Sequence, residues 1–412
     1  MTSTEAAVAP TPASAVLRLK PGRDRSLRRR HPWVFSGAVA RVEGPADACV
    51  ADLVAADGAW LGRGLRHPTA ELAARVLSWD RDTAVDDAWI GCLLERSLRR
   101  REETLAARPL ARPTDAWRLV FAEGDGLSGL IVDRYADRLV VKVHARAWLP
   151  FLPGVIARLR ERTGARAVHV LAESDAVRRE GLAPEAVAAL SDPVATPIRI
   201  QEDGLQFEAD PLAGQKTGFF LDQRENRARV AAWARGRRVL SVYCYTGAFE
   251  VHAARAGAAE ILGIDSSAPA LERARRHHEL NATACPVEYR KADGPEALRR
   301  LEAEGRWFDL VVLDPPRFVF GRAQMARGLR AYKDINRLAM KLLTPGGILA
   351  TFSCSGLVSH EEFAALLGWA ALDANREARV LEWLGQPFDH PVLSTVPETA
   401  YLKGAICRVD PA

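Results

Sequence analysis

Arg238-Val239-Leu240-Ser241-Val242 runs into Tyr243-Cys244-Tyr245-Thr246-Gly247-Ala248-Phe249, and eighteen residues after Gly247 a second apolar run, Glu260-Ile261-Leu262-Gly263-Ile264, ends in Asp265. More runs follow at the same rhythm: Val287 to Arg290, Leu310 to Leu313 and Ile348 to Phe352. Helical patterns separate them. One covers Ala268 to Asn281, with Ser266 or Ser267 as N-cap and Pro269 in its first turn. Another covers Tyr332 to Leu343, stopped by Pro345-Gly346-Gly347. Short apolar strands alternating with helices predict an α/β fold with a mostly parallel, doubly wound sheet from about residue 199 onward. Such sheets bind ligands at the carboxyl ends of their strands.

The first loop therefore sits where a nucleoside would lie. Asp265 is at the distance from Gly247 expected of an acid that reaches ribose hydroxyls. The loop has one glycine where a diphosphate cradle needs several, which disfavours a dinucleotide. S-adenosylmethionine carries ribose and adenine without phosphate and needs less glycine. Asp293, closing the third strand, is either an acceptor for an adenine amine or the N-cap of a helix from Pro295. Two further strand ends carry reactive groups. Asp314 opens Asp314-Pro315-Pro316-Arg317-Phe318, and Cys354 stands in Thr351-Phe352-Ser353-Cys354-Ser355-Gly356. Neighbouring strands would place a carboxylate beside a thiol, a pairing suited to attack on an electrophilic ring carbon. The alternative for Cys354 is a buried cysteine that merely ends a strand.

The chain has 412 residues, too many for one core, so two or three domains are expected. Residues 1–15 are rich in Ala, Thr, Pro and Ser, without a basic start or an apolar core. They read as a disordered tail rather than a signal peptide. No apolar stretch approaches the roughly 20 residues that span a bilayer, so no membrane partner and a cytoplasmic location are expected. Residues 16–90 alternate short apolar runs with turns such as Asp57-Gly58, the pattern of a small β-barrel. Residues 91–198 mix helix and strand, and the Pro-punctuated stretch Pro184 to Pro197 marks a boundary. The six cysteines are scattered with none at zinc-ligand spacing, so no metal is expected. Residues 16–41 carry eight cations, Arg28, Arg29 and Arg30 among them, against Asp24 alone. Since the whole chain sums to +5, this segment holds +7 and the remainder −2. A local basic patch points to a polyanion such as RNA; a solvated charged face is the alternative.

Several longer stretches carry a family resemblance: Arg30-His31-Pro32-Trp33-Val34-Phe35-Ser36-Gly37, Glu123-Gly124-Asp125-Gly126-Leu127-Ser128-Gly129-Leu130 and Lys216-Thr217-Gly218-Phe219-Phe220-Leu221-Asp222-Gln223-Arg224. Tyr245-Thr246-Gly247, Asp314 to Phe318, Tyr332-Lys333-Asp334-Ile335-Asn336, Phe352 to Gly356 and Tyr401-Leu402-Lys403-Gly404 extend it. In this order they resemble the bacterial large-subunit (23S) rRNA cytosine-5 methyltransferases of the RlmI type. The likeness covers nearly all of the chain after the tail, with a shorter central segment around Arg178 to Pro184. It implies an N-terminal PUA β-barrel (16–90), a central mixed α/β domain with a β-hairpin (91–198) and a C-terminal Rossmann-like class I methyltransferase domain (199–412). It implies S-adenosylmethionine as cofactor and 23S rRNA or a partly assembled large subunit as partner. Homodimer formation stays open.

The resemblance gives Cys354 the role of nucleophile at cytosine carbon 6 and Asp314 that of holding the ring. Tyr245, Thr246, Gly247, Asp265, Asp293 and Asp314, with Asp222 and Gln223, would form the cofactor pocket. Arg317 and Lys333 are candidates for phosphate contacts, with a solvated helix face the alternative for Lys333, and Phe318 would stack on the extruded base or pack in the core. Asp389-His390-Pro391 reads as a structural histidine rather than a catalytic one. A related branch that methylates guanine nitrogen 7 lacks the cysteine, so retention of Cys354 favours carbon methylation. The competing readings are a methyltransferase acting on a base nitrogen or on protein, and a noncatalytic RNA-binding assembly factor.

Overall fold

Alternation along Ser14–Leu19 turns Ala15, Leu17 and Leu19 inward. In the computed structural model, which describes residues 14–193, 196–212, 214 and 217–412, this strand belongs to a six-stranded sheet. Its order is Trp33–Phe35, Leu72–Ser78, Trp60–Arg66, Val50–Val54, Ser14–Leu19, Val39–Glu43. The sheet curls around Leu27, Val34, Leu53 and Val76. Ser14 and Ala15, expected in the tail, pair instead with Val50 and Ala51, because Ala15 supplies the first buried position. Residues 1–13 of that tail, and Lys216, lie outside the described residues.

The described residues divide into two compact units, one within 14–109, 117–193 and 391–397, the other within 110–116, 196–390 and 398–412. In the first, helix Asp87–Ala107 starts where Asp86 accepts from Trp89 N. The boundary expected at 90/91 lies within this helix. The helix buries Ile90, Leu93, Leu94 and Leu98. A four-stranded sheet follows, ordered Ala167–Ala172, Arg138–Val143, Leu130–Tyr135, Ala116–Phe121. Two bidentate pairs, Arg101 on Asp125 and Arg118 on Asp133, satisfy its buried charges.

The second unit contains a hairpin, Ile198–Glu202 with Leu205–Ala209, turned by Asp203 and Gly204, both left-handed. Its main sheet has seven strands, labelled in chain order: β1 Arg238–Val242, β2 Glu260–Asp265, β3 Val287–Lys291, β4 Phe308–Leu313, β5 Leu343–Ser353, β6 Arg376–Leu384 and β7 Lys403–Pro411. Their spatial order is 3-2-1-4-5-7-6. Only β7 runs against its neighbours. Alternate residues of the central strands enter two apolar layers. Leu240, Val242, Val311 and Leu313 face one, and Val239, Leu310, Val312 and Ile348 the other. Burial on both faces is what lets these strands read as continuous apolar runs.

Helix Ala268–Leu280 is capped by Ser267, which accepts from Ala270 N, as its sequence predicts. The helix expected from Tyr332 begins at Met325, because Met325 and Leu329 extend its apolar stripe into the same core. Pro345-Gly346-Gly347 falls inside β5 rather than between elements, with Gly346 left-handed. No helix among the described residues is long and apolar enough to cross a membrane. Chain order reverses between β1 and β4, so the loops after β1 and β4 leave in opposite directions and open a crevice.

Candidate active site

The crevice is a cavity of about 460 Å³, within the range of small-ligand sites. The loop after β1 shapes it. Tyr243, Tyr245 and Gly247 all adopt left-handed backbone, with φ of 67°, 48° and 77°. Such torsions persist only where surroundings enforce them. Tyr243 N and Cys244 N both donate to Ile264 O. Tyr245 N donates to Asp265 Oδ2 at 2.9 Å, and Ser267 N to Oδ1 at 2.9 Å. At position 247 a Cβ would lie 2.8 Å from both Ala274 Cβ and the Tyr289 hydroxyl, so only glycine fits. His277 secures the next peptide. Its Nδ1–H donates to Thr246 O at 2.8 Å while Nε2 accepts from Glu208 N at 2.9 Å. Burial pushes its pKa down to about 4, so the ring stays neutral and keeps this tautomer.

Tyr245, Thr246, Asp265, Asp314, Cys354, Asp222, Gln223 and Arg317 all line this one cavity. Asp314 and Cys354 follow adjacent strands, β4 and β5, about 5 Å apart by strand spacing. Asp222 and Gln223 are buried and oriented. Tyr401 Oη donates to Asp222 Oδ2, and Asn226 Nδ2 to Gln223 Oε1, each at 2.6 Å.

Other expected residues stand elsewhere. Asp293 Oδ1 accepts from Glu296 N as a helix N-cap, and the residue does not line the cavity. Phe318 packs on Tyr332, with ring centroids 4.7 Å apart, and joins the core rather than the cavity wall. Lys333 pairs with Asp373 at 2.6 Å on a solvated face. Arg28, Arg29 and Arg30 belong to the other unit. There Arg28 pairs with Asp24 at 2.6 Å, Arg30 lies over the Trp79 ring, and Arg29 is exposed. Asp389 takes a bidentate Arg224, both bonds 3.0 Å, and contacts the buried His390 at Nδ1.

Two residues escaped the sequence reading, Arg227 on the cavity wall and Phe320 outside it. Arg227 is held by Glu202 through two bonds of 2.6 Å. Phe320, 68% exposed, lies under the Arg317 guanidinium in the loop where Phe318 had been expected to stack. A basic residue at helical spacing after Arg224 was the only signal for the first. Among the described residues no group of His, Cys, Asp and Glu is placed to hold a metal ion.

The lining fits S-adenosylmethionine. Asp265 faces a loop that offers no phosphate cradle, and its carboxylate, already fixed by two amides, retains lone pairs for a ribose diol. The fold and this site define a nucleoside-binding methyltransferase, and the family model for S-adenosylmethionine-dependent methyltransferases matches residues 159–407. A PUA-like domain model matches residues 17–79. A ribosomal RNA large subunit methyltransferase I from Shewanella denitrificans is 42% identical over 95% of this chain and 99% of its own. Its counterpart from Erwinia tasmaniensis is 39% identical over the same shares. The chain belongs to the S-adenosylmethionine-dependent ribosomal RNA large subunit methyltransferase I family. A solved methyltransferase from Streptococcus mutans shares the fold, with a TM-score of 0.79 at 19% identity over 95% of this chain and 99% of that one.

Proposed function

We propose that the protein methylates carbon 5 of a cytosine in large-subunit (23S) rRNA, in the cytoplasm, through a covalent cysteine adduct. The observation that carries this reading is Cys354 and Asp314 on adjacent strand ends of the cavity that also holds Asp265. Tyr245, Thr246, Gly247 and Asp265 would hold the ribose side of S-adenosylmethionine, with Asp222 and Gln223 completing the same cavity. When bound, S-adenosylmethionine supplies an electrophilic methyl group to carbon 5 and is left as S-adenosylhomocysteine. Carbon 5 alone is a poor nucleophile, so the protein must enrich it. The Cys354 thiolate adds to carbon 6, forming the S–C bond and moving the ring π electrons toward carbon 5. Asp314 accepts from the exocyclic amine and from the ring nitrogen, which takes up a solvent proton as the sulfur adds and returns it to solvent when the sulfur leaves. After methylation a base removes the carbon 5 proton, the ring double bond re-forms and the Cys354 sulfur leaves as thiolate.

The target base must leave its stack to reach the cavity. Arg317 on the cavity wall and the exposed Phe320 beneath its guanidinium suit a neighbouring unstacked base or phosphate. Cys354→Ala should abolish methyl transfer, and RNA carrying 5-fluorocytosine should form a protein adduct mapped by mass to Cys354. Normal turnover of Cys354→Ala would reject the covalent route. A 23S methylation on a base nitrogen, located by mass spectrometry of rRNA, would reject carbon as the target.

A further inference from the structure

Lys403 begins β7, the one reversed strand, and faces Ser353 across the β5–β7 ladder. It is 1% exposed. Its Nζ donates to Ser355 O and Tyr401 O, both at 3.0 Å. Both acceptors are neutral carbonyls, and no carboxylate pairs with it among the described residues. A buried ammonium without a counter-charge is costly. The strand register and the Ser355 bond bracket Cys354 from both sides. Four titratable groups lie around this point. Cys354 follows β5, Glu362 comes from helix His360–Asp373, Tyr332 from helix Met325–Lys341 donates to or accepts from Ser355 Oγ at 2.8 Å, and Asp222 binds Tyr401. Cys354 and Glu362 are the two whose negative charge favours the ammonium, while burial pulls its pKa down to about 8. At neutral pH Lys403 is therefore mainly charged.

We propose that Lys403 is a positioning residue that holds Cys354 as thiolate through its buried ammonium, an assignment that rests on Cys354 being the nucleophile. The thiol proton goes to solvent, not to Lys403, which already carries its full complement. The ammonium stabilises the negative sulfur until the S–C6 bond forms and again when that bond breaks. Two carbonyls, one of them on the residue after Cys354, fix the ammonium, so its charge needs no reorganisation as the sulfur reacts. An ordinary thiol titrates near 8.5; this one should titrate lower.

The test is the pH dependence of iodoacetamide alkylation, read at Cys354 by peptide mass spectrometry. In the wild-type protein the midpoint is expected below about 8.5. In Lys403→Met it should rise by about one unit, a tenfold loss of thiolate at neutral pH. Methyl transfer should fall about tenfold at pH 7 and recover toward pH 9, and Lys403→Arg should restore part of the loss. Equal midpoints in wild type and Lys403→Met would overturn the proposal. If the Met variant melts below the assay temperature, the wild-type midpoint decides alone, since a value at or above 8.5 overturns it. An active Cys354→Ala would instead sink the nucleophile assignment, and the alkylation midpoints would still report whether Lys403 acts on the sulfur.

Discussion

Glu250 sits in the first turn of helix Ala248–Arg255, fully buried below the cofactor loop. No ion-pair partner reaches it among the described residues. Burial, with repulsion from Asp265 and Asp314, pushes its pKa from 4.5 up to about 7. A carboxyl whose pKa rises on folding keeps its proton longer in the native state than in the unfolded one. Stability therefore falls as pH climbs from about 4.5 to about 7 and stays lower above that. Glu250→Gln removes this dependence and should be the more stable form at pH 8, by up to about 3 kcal/mol. That advantage should vanish near pH 4.5. Melting curves of both forms across this window check it; a constant difference would contradict it. At this scale Asp265, Asp314 and Cys354 were legible because each closes an apolar run, where chain order alone predicts a crevice. Arg227 and Lys403 were not. One depends on Glu202, twenty-five residues upstream, and the other on pairing with a strand fifty residues before it.

β7 shows the same limit for elements. It is wedged between β5 and β6, and Gly404 faces Phe352 across the ladder. A Cβ there would stand 2.4 Å from a Phe352 ring carbon and 3.1 Å from Leu384 Cβ. Gly404→Ala should therefore cost about 1–3 kcal/mol by overpacking, read as a lower urea midpoint. An unchanged midpoint would show that the strands give way freely. The parallel strands β1, β2, β4 and β5 were readable as apolar runs. β6 was not, because it is an edge strand with exposed Glu377, Arg379 and Val380. β7 was masked by a buried cation at its first position. Helix Met325–Lys341 was found only from Tyr332 onward because Arg327, Gly328 and Arg330 dilute the stripe at its start.

Over the whole molecule, charge is segregated, with +7 in residues 16–41 against a net +5. RNA affinity should fall with salt, each lost phosphate contact lowering the log–log slope by about 0.7–0.9. Arg29→Glu and Arg30→Glu should flatten it more than Arg28→Glu, since Arg28 is already engaged by Asp24. Filter-binding titrations across salt concentrations check this, and three identical slopes would count against the patch. A different property follows from the two tyrosines and one glycine held left-handed within five residues. Folding, rather than ligand capture, meets the conformational cost of that turn. The methyl donor arrives at a loop already shaped, so its exchange for the demethylated form between RNA encounters need not remake that turn.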